Sequence, residues 1–223
     1  MICWGKSSKF FSAECECTNY LDFQLFPEGE VSQYGWNSMT LRELRFHGRG
    51  GQGAVLAAKM VASAAAREGK CVGSFPMYGF ERRGMPVVAF TRFDDQPIRE
   101  KSQIYNPDCL IVIDPTLLQL DGLFDGLKPG GVLILNSPSI LSQRPMENMA
   151  VTGTINATSI AVEELGRDIP NTCLVGALAA TTGWFSLESV IEGLGEYLEG
   201  EILEKNIRNA TRGYEEVEVR RWH

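Results

Sequence analysis

Arg45-Phe46-His47-Gly48-Arg49-Gly50-Gly51-Gln52-Gly53-Ala54-Val55 decides how this chain is read. A short strand pattern over 41–46 runs into a glycine loop over 47–53, and an alanine-rich helix pattern occupies 54–67. Gly48 to Gly53 satisfies G-x-G-x-x-G, and the strand before it and the helix after it give the spacing its physical meaning. Glycines there permit positive φ and close backbone approach, while free N–H groups at a helix start attract a phosphate or carboxylate. Arg49 offers a charge-assisted contact and Gln52 a neutral donor. Two uses stay open at this point: a cradle for an anion or cofactor, or a tight turn packed on a neighbouring subunit.

The helix after the loop repeats Val55, Ala58, Ala62 and Ala65 or Ala66 at helical spacing, and such small residues let a helix lie close to a sheet. Gly69 is its expected stop. Further along, strands are expected over 71–75, 86–93, 109–113, 132–135 and 151–155. The runs at 109–113 and 132–135 are almost wholly apolar and bounded by Asn106-Pro107, Asp114-Pro115 and Pro129-Gly130-Gly131, as suits strands buried on both faces. Helices are expected over 117–127, 159–166, 171–182, 187–198 and 201–213. Strands alternating with helices and then a helical tail predict a three-layer α/β domain, with a mostly parallel sheet flanked by helices.

Residues 1–40 read differently, with aromatic residues scattered among Ser, Glu, Asn and Gly and no sustained period, so they are expected to be an irregular extension. The domain is expected over 41–216, with 217–223 as a tail.

A net charge of −7 and a pI near 5.0 argue against nucleic acid or an anionic membrane as the main partner, because either would repel the average surface. No apolar run reaches the roughly 18 to 20 residues of a membrane span, and residues 1–17 lack a signal-peptide core. A cytoplasmic chain with reduced thiols is expected. Cys3, Cys15, Cys17, Cys71, Cys109 and Cys173 show no paired framework and no iron–sulfur run. Cys3, Cys15 and Cys17 do not match a zinc pattern either, with His47 and His223 the only histidines.

A nicotinamide reading of the glycine loop lacks a necessary residue. The second strand should end in an acidic side chain for the ribose hydroxyls, yet it ends in Ser74, Phe75 and Pro76, and Glu68 lies before it. Asp114 closes an apolar strand where open α/β sheets place ligands, and it also reads as a turn-former ahead of Pro115. A lone His47 at a strand end reads as structural. No nucleophile elbow or Ser–His–acid set is present.

A second motif spans residues 75–86, FPMYGFERRGMP, with two adjacent guanidinium groups at Arg82 and Arg83 that suit carboxylate or phosphate. Together, RFHGRGGQGAV and FPMYGFERRGMPVVAFTR resemble the gamma domain of pyruvate and related 2-oxoacid:ferredoxin oxidoreductases. The likeness continues through DDQPIREKSQIYNPDCLIVIDPTLL, IPNTCLVGALAATTG and EKNIRNATRGYE, covering residues 41 to about 216. The version here is most similar to the gamma subunit of the pyruvate/2-oxoisovalerate type.

What the resemblance implies is a subunit of a complex that oxidatively decarboxylates a 2-oxoacid, giving acyl-coenzyme A and reduced ferredoxin. It implies thiamine diphosphate between alpha and beta subunits, [4Fe–4S] clusters in a delta subunit, and coenzyme A handling by the gamma part. The implied signature positions are Gly48, Arg49, Gly50, Gly51, Gln52 and Gly53 in the first loop and Tyr78, Glu81, Arg82 and Arg83 in the second. No catalytic role and no metal ligand is implied for any residue. The competing expectations are a stand-alone nucleotide-binding oxidoreductase and a purely structural interaction module.

Overall fold

A computed structural model of the chain describes residues 41–77 and 84–222. Residues 1–40, the expected extension, lie outside that range, as do Tyr78, Glu81, Arg82 and Arg83. Among the described residues, seven strands form one sheet: β1 (Arg42–Arg49), β2 (Cys71–Pro76), β3 (Pro86–Asp94), β4 (Cys109–Val112), β5 (Gly131–Asn136), β6 (Met149–Ile155) and β7 (Glu218–Arg221). Five helices of the described residues accompany them: α1 (Ala54–Arg67), α2 (Ala157–Leu165), α3 (Asn171–Thr182), α4 (Leu187–Leu194) and α5 (Gly200–Glu216).

The sheet order is β2-β3-β1-β4-β5-β6-β7. The four central strands β1, β4, β5 and β6 run parallel, while β3 and β2 on one side and β7 on the other add antiparallel. The parallel character expected from the sequence therefore resides in the centre. Leu44 stands beside Cys109 and Cys109 beside Val132, and Phe46, Ile111 and Ile134 form the next row. Alternate residues of β4 and β5 feed opposite cores, so both strands are buried on both faces, as continuous apolar runs require.

On one face Leu44, Phe46, Ile111 and Ile134 pack under α1 and α3. The buried stripe of α1, at Ala57, Ala58, Val61, Ala64 and Ala65, follows the helical period. Its small side chains bring the helix so near β3 that the Thr91 hydroxyl donates to Ala58 O at 2.8 Å. Helix α3 meets α5 more closely still: a Cβ at Gly176 would stand 1.9 Å from Ala210 O, and one at Gly213 would stand 2.0 Å from Cys173 O. Backbone touches backbone there, and only glycine fits.

The opposite face holds Leu110, Val112, Leu133, Leu135 and Met149 under Leu117, Leu123 and Leu127. The helix expected over 117–127 is a 3-10 helix, Pro115–Gln119, followed by turns. Gly122 and Gly126 take φ of +81° and +76°, which a right-handed helix cannot contain. The leucines are buried as their spacing suggested, but turns rather than a helix bury them. The expected tail also differs, since Glu218–Arg221 pairs with β6 as β7. Among the described residues, no helix is long and apolar enough to cross a membrane.

Candidate functional site

β1 and α1 put the glycine loop at the carboxyl edge of the parallel strands, where open α/β sheets bind ligands. Gly48 lies buried within the end of β1, and Gly53 caps α1 with φ +78°. A side chain on Gly53 would be strained by that φ and would also meet Asn171 Nδ2 at 2.5 Å. The first residue of α3 thus packs directly on the loop, and Asn171 Nδ2 faces Gly53 O at 3.5 Å.

Asp114, at the end of β4, is the hub of the loop. Its Oδ1 accepts from Thr116 N at 2.9 Å and from Thr116 Oγ1 at 2.5 Å, which caps the 3-10 helix. Its Oδ2 accepts from Gln52 Nε2 at 2.9 Å and lies 3.3 Å from Arg49 Nε. Burial pulls the Asp114 carboxyl upward, but hydrogen bonds from Thr116 and Gln52 and the charge of Arg49 outweigh it, so the group lies below the usual carboxylate range. Gln52 Oε1 accepts from Arg49 N at 2.8 Å, closing the loop on itself. Arg49 and Gln52 are thus engaged within the chain, and the turn-former reading of Asp114 describes only half of what it does.

The glycine loop is also stitched to the end of the second motif. Gly50 N donates to Met85 O at 2.9 Å, Gly84 N donates to Gly50 O at 3.2 Å, and Arg49 Nη1 donates to Gly84 O at 3.1 Å. Tyr78, Glu81, Arg82 and Arg83 lie outside the described residues; Gly84 and Met85, which follow them, are tied to Gly50.

Gly50, Gly51 and Gln52 form one wall of an open cleft of about 590 Å3, and Arg167, Asp168 and Ile169 form the other. Arg167 sits in the loop between α2 and α3, and no acceptor or ion pair engages its guanidinium within the described structure. It was not found from the sequence. Far from the glycine loop along the chain, after the α2 stop at Gly166, it reads as an ordinary exposed cation, and only the packing of α3 on Gly53 brings it there.

His47 lies just below the site. Burial and the neighbouring Arg45 guanidinium push it down to about 3, and it accepts from Arg45 Nε at 2.9 Å through Nε2, so it is a neutral structural acceptor. Burial pushes the Cys109 thiol well up and the Cys173 thiol up to about 12. Among the described residues, no three His, Cys, Asp or Glu side chains are grouped to hold a metal.

The dinucleotide reading fails on topology as well as sequence. β3 lies between β1 and β2, so the strand after α1 is not the neighbour of β1 that a dinucleotide fold requires. Glu68 is also engaged, accepting from Ser186 N, Ser186 Oγ and Ser189 Oγ at the start of α4.

A three-layer α/β domain with a glycine loop at the carboxyl edge, but without the adjacent first and second strands of a dinucleotide site, defines a class of domain distinct from the dinucleotide-binding fold. The family model for pyruvate ferredoxin/flavodoxin oxidoreductase matches residues 43–216, and the chain belongs to that family as a gamma-type subunit of a pyruvate/2-oxoacid ferredoxin oxidoreductase. The pyruvate/ketoisovalerate oxidoreductases common subunit gamma of Thermococcus kodakarensis is 48% identical over 180 residues, covering 79% of this chain and 97% of that protein. The crystal structure of pyruvate oxidoreductase subunit PORC from Thermotoga maritima superposes with a TM-score of 0.70 at 36% identity, over 81% of this chain and 98% of that one. A 2-oxoglutarate:ferredoxin oxidoreductase from Magnetococcus marinus, with 2-oxoglutarate, coenzyme A and succinyl-CoA bound, shares the fold at a TM-score of 0.64 and 20% identity, over 78% of this chain and 30% of that one.

Proposed function

We propose that this subunit serves a cytoplasmic complex with alpha, beta and delta partners that oxidatively decarboxylates pyruvate, and that its glycine-loop cleft handles coenzyme A. The observation that carries the coenzyme A reading is the cleft itself. Across the cleft Gly51 faces Arg167 and Asp168; Gly50 N is taken by Met85 O, so Gly51 N and the Arg167 guanidinium, which has no ion-pair partner among the described residues, are the donors offered to a phosphate-bearing substrate. Arg82 and Arg83, in the motif whose end is fastened to Gly50, supply two further guanidinium groups to the same function.

Coenzyme A, when bound, supplies the thiol that accepts the acyl group. Within this chain, Asp114 holds Arg49 and Gln52 so that the loop backbone is presented in one shape, and Arg167 supplies charge opposite it. The described cysteines do not suit an iron–sulfur cluster, since Cys109 and Cys173 are buried, protonated and not grouped. In this reading, as the family resemblance implies, the clusters and thiamine diphosphate belong to the partner subunits, and ferredoxin meets the complex through them.

Two measurements test this reading. Affinity capture from the native cytoplasm should bring alpha, beta and delta subunits with the chain. In the assembled enzyme, Arg82→Ala and Arg83→Ala should raise the apparent KM for coenzyme A by about tenfold each, the loss of one charge-assisted contact. Unchanged kinetics in both variants would remove the role given to that motif.

A further inference from the structure

Residues 95–108 carry the chain from the end of β3 to the start of β4 with neither helix nor strand. Connections of about this length without secondary structure are uncommon inside a compact domain and, where ordered, are usually functional. The last residues of β3 lie beside the first of β1, and the first of β1 beside the first of β4. The connection therefore sits at the amino edge of the parallel strands, opposite the glycine loop.

A buried cation holds it. Arg92, 2% exposed, donates through Nε to Glu43 Oε1 at 2.8 Å on the neighbouring strand. Its Nη1 donates to Ser102 O at 2.7 Å and Glu100 O at 3.4 Å, and its Nη2 to Gln103 O at 3.4 Å. A buried guanidinium is costly unless its donors are met, and these three carbonyls meet them only while the connection keeps this path. Ile104 is then buried, and Tyr105 O lies so near Gly126 that a Cβ there would stand 2.0 Å from it. The connection thus has one shape before anything meets it.

What it displays is out of keeping with the rest of the surface. Tyr105 is 70% exposed, more than any other large hydrophobic side chain among the described residues. Arg99 and Lys101 are exposed, and neither has an ion-pair partner among the described residues. Two acids of the same connection are engaged, Asp95 by Lys70 and Glu100 by Arg92. Because one guanidinium gathers the carbonyls of residues 100, 102 and 103, the chain curls there and the tyrosine and two cations share one patch. Beside it, Asn106, Phe124 and Met146 line an open hollow of about 350 Å3.

We propose that this patch docks a partner subunit of the oxidoreductase, one that offers an apolar socket for Tyr105 edged by carboxylates for Arg99 and Lys101. Tyrosine and arginine dominate protein interfaces, and on a preorganised connection little freedom is lost when they dock. In a chain whose net charge is −7, two unpaired cations around an exposed ring select an acidic rim. The proposal rests on the chain being one subunit of a larger enzyme, and it is independent of the coenzyme A reading, whose cleft lies at the other edge of the sheet.

The test uses the purified enzyme with all its subunits. In one preparation a benzophenone-bearing amino acid replaces Tyr105, and illumination should join this chain to a partner subunit at a segment containing Asp or Glu. Tyr105→Ala should weaken association of the chain with that subunit about thirtyfold, the effect of removing one interface anchor. Arg99→Glu with Lys101→Glu should make the complex come apart at lower salt. Reversing the cross-linked acid to Lys should restore assembly to that double variant, which a folding defect would not allow.

Cross-links to a second copy of this chain alone overturn the proposal, as does an absence of cross-links. So does a complex whose assembly is unchanged by Tyr105→Ala and by the charge reversal. In each of these cases the subunit reading stands, because the partners still purify with the chain. A chain that purifies with no other subunit removes that reading, and the docking surface falls with it.

Discussion

Arg49 Nε lies 3.3 Å from Asp114 Oδ2, and this ion pair joins the glycine loop to the end of β4. Arg49 is the residue that a motif reading hands to a ligand. The structure gives it to Asp114, to Thr116 Oγ1 at 2.8 Å and to Gly84 O at 3.1 Å. Its function is to shape the loop and to fasten the second motif, leaving Arg167 as the cation at the cleft without an ion-pair partner among the described residues.

Removing the Asp114 charge should therefore loosen the loop. Asp114→Asn retains a cap for Thr116 but loses the ion pair and places an amide against Gln52. The side chain of Arg49 is about one-third exposed, which limits the electrostatic part, and the expected loss is about 1–2 kcal/mol. Urea unfolding reads the loss, and faster hydrogen exchange at Gly50 should accompany it; an unshifted midpoint would contradict the hub role.

His47 gives the fold an acid weakness. Its folded value of about 3 lies below the ordinary 6.5, so the unfolded chain takes up the proton first. The stability held by neutral His47 is complete above about pH 6.5 and is lost as pH falls from there toward 3. His47→Gln still offers Arg45 an acceptor but does not titrate. Urea midpoints from pH 7.5 down to 4 should fall less steeply in the variant than in the wild type, and parallel curves would refute the assignment.

The crossing of α3 and α5 should tolerate no side chain. Gly176→Ala puts a methyl 1.9 Å from Ala210 O, a backbone atom that cannot rotate away. A cost of about 3 kcal/mol or more is expected, at the upper end for overpacking. Gly73→Ala, where nothing lies within 4 Å, is the control and should change little. Equal thermal shifts in the two variants would count against the close contact.

Thiol chemistry should be confined to the accessible cysteines. In a variant with Cys3, Cys15 and Cys17 replaced by serine, the native chain should show one rapidly reacting thiol, Cys71, and three after denaturation. Rapid native labelling of Cys109 or Cys173 would mean that the core opens more readily than its packing indicates.

The sequence made the central strands legible because β4 and β5 are buried on both faces and carry only one polar residue, Asn136 at the last position of β5. It also showed α1, whose small residues repeat at the helical period, and α3, expected over 171–182 and found there. It misled at 117–127, where Leu117, Leu123 and Leu127 occupy core positions but Gly122 and Gly126 turn the chain between them. Strand order was not legible, since the placing of β3 beside β1 depends on cross-strand pairs such as Leu44 with Thr91, distant in the chain. For the same reason the glycine loop could be read while Arg167 could not: the loop is a local pattern, and the arginine reaches it only through tertiary packing. β7 is short and rich in charge, so nothing in its four residues marked it as a strand.

Because α3 and α5 meet main chain to main chain at Gly176 and Gly213, the pair behaves as one stiff beam rather than two sliding rods. A load placed on the outer helix has to carry the inner one with it. The tip of that inner helix is Asn171, seated against Gly53. A companion protein leaning on α5 would thus be felt mechanically at the mouth of the cleft, with no need to touch it.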